Sequence, residues 1–175
     1  MHFSLEHSLQ ILEATPATLS SLLRHLSPEW TTANEGPETW SAYDVIGHLI
    51  HGEKTDWLAR AEIILSNAPE RAFKPFDRFA QFEESKGKTL HELLDDFKNI
   101  RKESIARLRS LHIEPEDLTR TAIHPTFGEV TLSQLLSTWV VHDLDHISQI
   151  SRVMAKQYTE AVGPWIAFLK ILRQS

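Results

Sequence analysis

The chain has 175 residues, 41% apolar and 24% charged, which is enough to bury one full core. Its formal net charge is −6, its pI is near 5.9, and its basic residues are scattered among acidic ones, which excludes the basic stripe of a nucleic-acid binder. There is no cysteine, so disulfides, zinc thiolate sites and cysteine nucleophiles are excluded as well.

The first residues lack a basic stretch followed by an apolar one, and no apolar run approaches the ~18 residues of a membrane span. The expectation is a single cytoplasmic domain over residues 1–175. Ser4 to Leu26 carries leucines at helical spacing, interrupted at Thr15-Pro16, where a cap followed by proline predicts a kink or two abutting helices. Ser27 to Thr39 reads as a loop. Ser41-Ala-Tyr-Asp44 is a variant capping box and opens a helix expected to run to about Ser66. His48, Val45, Gly52, Ala59 and Ile63 share one of its faces, and the small residues leave room for a neighbour or a ligand.

Asn67 to Phe76 reads as a loop, and Asp77 to Ser85 as a short helix or lid. Thr89-Leu-His-Glu92 is a full capping box and opens a helix from Leu90 to about Leu111. His112 to Val130 is a long connection with room for a short strand pair around Ala122 to Val130. Thr131-Leu-Ser-Gln134 caps a long helix to Tyr158, and Gly163-Pro164 opens a last one, Trp165 to Leu172. Four main helices and a short C-terminal one predict an all-α four-helix bundle.

The long helix at Thr131 carries the chemistry. His142 and His146 lie four residues apart, one turn apart on the face that also holds Leu135, Trp139, Ile150 and Val153. Buried imidazoles need partners, and one metal ion satisfies both. A catalytic site of this type takes a third protein ligand and leaves a position open, and His48 is the best candidate, against the alternative of a histidine bonded to a backbone carbonyl. Asp145 and Gln149 fall within about 60° of His142 on a helical wheel and are candidates to hydrogen-bond a ligand imidazole. His51 reads as exposed, and so do His2, His7, His25, His91 and His112. His124 fits a turn or the mouth of the site. The tryptophans Trp40, Trp57, Trp139 and Trp165 read as core residues. Glu53 and Asp56 are conceivable bases that do not point clearly at His48. The HDLDH stretch lacks the Glu of HExxH, no Glu-x-x-His occurs, and no G-x-S-x-G is present, so zinc-protease, di-iron and serine-hydrolase chemistries find no motif.

Trp40-Ser41 leading into the His48 helix, the loop HPTFGEVTL, His-x-x-x-His followed by Gln149, and GPW at Gly163 to Trp165 resemble the DinB/YfiT-like superfamily of metal-binding bundles over nearly the whole chain. The resemblance implies an up-down-down-up bundle, a homodimer, and a divalent metal ion, nickel or zinc, held by His48, His142 and His146. It does not supply a substrate. The first reading is a hydrolase of a small-molecule substrate using water activated at that ion. A metal-dependent transferase of a low-molecular-weight thiol is the alternative, with a non-catalytic metal-binding stress-response bundle behind it. Neither nucleic acid nor membrane is expected as a partner.

Overall fold

The computed structural model describes residues 2–173. Helix α1 (Leu5–Leu23) is followed by a single turn, α2 (Pro28–Thr31), and by α3 (Ala42–Thr55) and α4 (Trp57–Leu65). The short α5 (Ala80–Ser85) precedes α6 (Leu90–Ser110). A two-stranded antiparallel hairpin, β1 (Thr121–His124) and β2 (Gly128–Thr131), leads into α7 (Leu132–Lys156). The capping boxes at Ser41, Thr89 and Thr131 all form, each with reciprocal side-chain and backbone bonds.

Side-chain pairs between helices set their directions. Glu13 meets Arg109 and Arg24 meets Asp95, so α1 and α6 run antiparallel. Glu53 meets Arg101 and Glu62 meets Arg107, so α3–α4 runs parallel to α6. His48 approaches His146 while Trp57 stacks on Trp139, so α3–α4 and α7 are antiparallel. The order is up-down-down-up, with α3–α4 and α6 side by side in the same sense. No helix among the described residues is long and apolar enough to cross a membrane.

Three expectations change. Thr15-Pro16 does not divide α1, which is continuous through Pro16. Proline has no N–H to give to the carbonyl four residues back, and that freed acceptor, Leu12 O, instead takes a hydrogen bond from Arg101 Nη1 at 2.8 Å. The helix predicted from Ser41 to Ser66 is broken at Asp56 (φ −113°, ψ −78°). Trp57 folds back over Gly52, where an added Cβ would lie 3.3 Å from its indole nitrogen, and stacks on Trp139 at 5.9 Å. The space left by Gly52 is thus taken by the chain's own tryptophan. The predicted C-terminal helix is instead two 3₁₀ turns, Gly163–Ala167 and Lys170–Leu172. Neither has a buried residue, so no apolar face rewards a longer helix. Trp165 is accordingly 67% exposed and is not a core residue.

The core is split into two apolar clusters. One includes Leu12, Trp57, Ile64, Leu108, Leu136 and Trp139; the other includes Leu19, Val45, Leu49, Leu93, Phe97 and Ile150. Arg101 lies at their junction, its guanidinium 4.9 Å from the Phe97 ring and 5.3 Å from that of Trp139.

Candidate metal centre

Two helices deliver three imidazoles to one point. His142 and His146 project from successive turns of α7, and His48 faces them from the middle of α3. His48 Nε2 lies 3.1 Å from His142 Nε2, which lies 3.0 Å from His146 Nε2. The three can each offer one nitrogen to a common centre, all within 4.8 Å of one another.

The protons decide what this arrangement suits. Gln149 Oε1 accepts from His146 Nδ1–H at 2.7 Å, which fixes the His146 tautomer and leaves its Nε2 as a lone pair. His142 Nε2 then has a single proton at most to share between two neighbours, so three neutral imidazoles cannot all be satisfied by each other. Burial and the neighbouring imidazoles push His48 down from 6.5 to about 3 and His142 to about 2. His146 is lowered too, chiefly by burial. The rings are therefore neutral at physiological pH, and each can turn a lone pair toward one centre: the donor set a divalent cation requires. His48 Nδ1 and His142 Nδ1 are buried without a hydrogen-bond partner among the described residues.

Behind the histidines lies a buried ionic layer. Arg101 forks onto both oxygens of Asp143 (2.6 and 3.0 Å) and reaches Glu53 Oε1, to which Trp139 Nε1 also donates at 3.0 Å. Burial disfavours the guanidinium charge, but the two carboxylates outweigh it and raise the Arg101 pKa. Glu53 lies five residues after His48 and Asp143 directly follows His142. Arg101 on α6 thus ties together the stretches of α3 and α7 that carry the ligand candidates. The sequence reading did not single out Arg101 or Asp143. Their signal was a charge on an apolar stripe: Leu94, Phe97, Arg101, Ile105 and Leu108 along α6, and Leu136, Trp139, Asp143, His146 and Ile150 along α7.

Other expectations resolve individually. Asp145 is exposed and makes no hydrogen bond to the imidazoles among the described residues. His51, read as exposed, is buried, with Nδ1 2.8 Å from Glu84 Oε1. His124 both caps its turn, accepting from the Thr126 and Phe127 amides, and lines the site. His2, His7, His25, His91 and His112 are exposed as expected. Trp40 is a wall of the site, its ring 4.8 Å from that of His48. Glu53 is committed to Arg101, whereas Asp56, held by Arg60 at 2.5 Å, lies in the cleft wall with its pKa raised by burial.

Two clefts reach the histidines. The larger, about 810 Å³, runs from His48 and His146 past Trp40, Phe79 and Phe82 to Arg152. The smaller, about 420 Å³, opens from His48 and His142 past Asp56 and Arg60 to His124. Phe76 and Arg78 line both. A further groove of about 750 Å³ between α1 and α6 lies away from the histidines.

The model of the DinB superfamily matches residues 11–150. The chain belongs to the DinB superfamily. Among solved structures it is similar to YfiT from Bacillus subtilis (22% identity, TM-score 0.72, covering 87% of this chain and 86% of that one), which is described as "a probable metal-dependent hydrolase with an unusual four-helix bundle topology". It is also similar to a DinB-like protein from Bacillus cereus (18% identity, TM-score 0.57, 90% and 95% covered) and to the four-helix bundle protein TT2238 (22% identity, TM-score 0.52, 85% and 98% covered). At these identities the likeness is one of fold. No curated protein matches the chain.

Proposed function

We propose that this DinB-superfamily protein is a metal-dependent hydrolase of a small-molecule substrate, with His48, His142 and His146 holding a divalent ion, zinc or nickel. The observation that carries the reading is the convergence of three imidazole Nε2 atoms, from buried His48 and His146 and half-buried His142, at the meeting point of two open clefts. YfiT, which shares the fold, is described in the same terms. When bound, such an ion supplies Lewis acidity, polarising an acyl oxygen and acidifying water toward neutral pH.

The residues of the chain then do the rest. Gln149 keeps His146 in the tautomer that presents Nε2. Arg101, Glu53 and Asp143 hold α3 against α7 behind the imidazoles. The rings of Trp40 and Phe76 flank His48, at 4.8 and 5.6 Å, and shield one side of the site from bulk water. Asp56 is the acid positioned in the cleft wall to accept a proton, its carboxyl shifted upward by burial.

A second reading, transfer of a low-molecular-weight thiol to an electrophile, is favoured by the paired clefts, which give two reactants separate approaches to one centre. The chain has no cysteine, so that sulfur arrives with a cosubstrate. The test begins with metal analysis of protein purified without a polyhistidine tag. About one divalent ion per chain is expected, with His142→Ala losing it; unchanged content in that variant refutes the site. A panel of esters and amides assayed with and without added thiols then separates the two readings, since rates indifferent to every thiol exclude transfer.

A further inference from the structure

The charged residues lining the two clefts balance in number, three arginines against Glu35, Glu38 and Asp56, but not in pairing. Three arginines line them, and two are committed: Arg152 to Glu35 through contacts of 2.6 to 3.1 Å, and Arg60 to Asp56. Glu35 is held a second time by Lys156 at 2.8 Å. Arg78 has no carboxylate within salt-bridge distance among the described residues. Its neighbour Asp77 accepts from the Phe79 amide at 3.0 Å. Arg78 nevertheless lines both clefts, on the ridge where they meet beside His48. It is a cation left over at the point of entry.

The ridge continues into unused apolar surface. Phe79 is 65% exposed and Phe82 41% exposed, their rings stacked 6.5 Å apart, and Phe82 meets Trp40 edge-on at 6.4 Å. These rings form a wall from Arg78 toward His48. They are held in place because α5 packs directly on α3 at Gly47, where an added Cβ would lie 2.4 Å from Ser85 Oγ. Glu38, also in the lining of the larger cleft, disfavours an anion at its own position and leaves the Arg78 ridge as the place for one.

Resting on the reading of the histidines as the reactive centre, we infer that the substrate is an amphipathic carboxylate: its carboxylate is held by the Arg78 guanidinium on the ridge, and its apolar body lies against Phe79, Phe82 and Trp40. A planar fork suits the two oxygens of a carboxylate, whereas a lone guanidinium leaves much of a phosphate dianion uncompensated. The reacting bond is thereby directed to the histidine end of the wall. Arg78 is a binding residue and takes no part in bond making.

The experiment compares 4-phenylbutyrate with 4-phenylbutyramide, a pair differing in charge, by titration calorimetry. It uses the protein as purified and after chelator dialysis, with metal content measured in parallel. Both forms of the wild type are expected to bind the acid about tenfold more tightly than the amide, as for an exposed charge-assisted pair, and less so at high salt. Arg78→Gln removes the preference and leaves the amide affinity unchanged; Arg78→Lys keeps part of it; Phe79→Ser weakens both ligands. Equal affinity for acid and amide, a preference that survives Arg78→Gln, or no binding of either ligand overturns the inference. A preference that needs the ion and ignores Arg78 assigns the carboxylate to the metal, so the inference fails while the metal reading stands. A preference that persists in protein with no metal at any stage leaves Arg78 in its role and removes the metal reading instead.

Discussion

Replacing Arg101 by methionine tests the structural argument where it is most exposed to failure. The substitution removes both bonds to Asp143, the contacts to Glu53 Oε1 and the bond to Leu12 O. All three charged partners are essentially inaccessible, with side-chain exposure of 1% for Arg101 and 0% for each acid. Breaking a buried ionic group by deleting one member costs about 3–5 kcal/mol, and orphaning the Leu12 carbonyl adds about 1–3. The sum, roughly 4–8 kcal/mol, is a large part of the ~5–15 kcal/mol of a typical domain. At ~2–4 °C per kcal/mol for a chain of this size, the expected fall in Tm is about 10–30 °C. Urea and thermal melts followed by circular dichroism at pH 7.5 and 5.5 measure it. The variant carries a second signature. Its two unpaired buried acids are relieved by protonation, so the variant's deficit relative to wild type is expected to be smaller at pH 5.5 than at pH 7.5. Adding Glu53→Gln and Asp143→Asn to Arg101→Met is expected to restore part of the loss at pH 7.5. A single variant within 1 kcal/mol of wild type at both pH values would mean that the layer is not what holds α3 to α7, and the positioning of the histidines would need another cause.

Four further outcomes follow from particular residues. The metal-free wild type should lose stability as pH falls below about 6.5, because His48 and His142 take up protons there when unfolded but only near 3 and 2 when folded; each adds about 1 kcal/mol per pH unit, and urea melts from pH 7 to 5.5 that show no slope contradict the burial of neutral rings. Pro16→Ala should stabilise α1 by less than the ~3 kcal/mol of helix propensity, since the restored N–H competes with Arg101 for Leu12 O; the full gain appearing with Arg101 intact argues against that sharing. Gly47→Val should cost about 1–3 kcal/mol and loosen α5, read as faster amide exchange over residues 79–85; unchanged exchange means α5 is not seated on α3 as described. Thr131→Ala removes a cap whose bonds are formed at both ends, and a Tm within 1 °C of wild type would show that α7 does not depend on it, against an expected cost of about 1 kcal/mol.

The local chemistry of the chain was legible without coordinates. Three capping boxes mark the starts of α3, α6 and α7 because the bonds that satisfy a helix N-terminus come from residues three apart in sequence. The pairing of His142 with His146 is equally local, since one turn of α7 suffices to bring them together. The bundle follows from apolar stripes at helical spacing, and the hairpin from Pro125 and Gly128 between short runs. His48 is the candidate for a third member only through its face on α3 and the family resemblance. Its meeting with the pair at 3.1 Å depends on how two helices 94 residues apart in sequence are packed.

What required the fold was every decision made between elements. Pro16 reads as a helix breaker until Arg101, 85 positions away, takes the carbonyl that it frees. Gly52 reads as room for a neighbour or a ligand, and only the fold shows that Trp57 bends back to be that neighbour. His51 reads as solvated until α5 brings Glu84 over it. Arg78 carries no signal in the sequence, and its importance comes from Glu35 and Asp56 being already taken by other cations. Residue spacing along a helix fixes which side chains share a face. It says nothing of which opposing face supplies their partners, and in a low-dielectric core those partners determine whether a charge, a proton or a lone pair is tolerated at all.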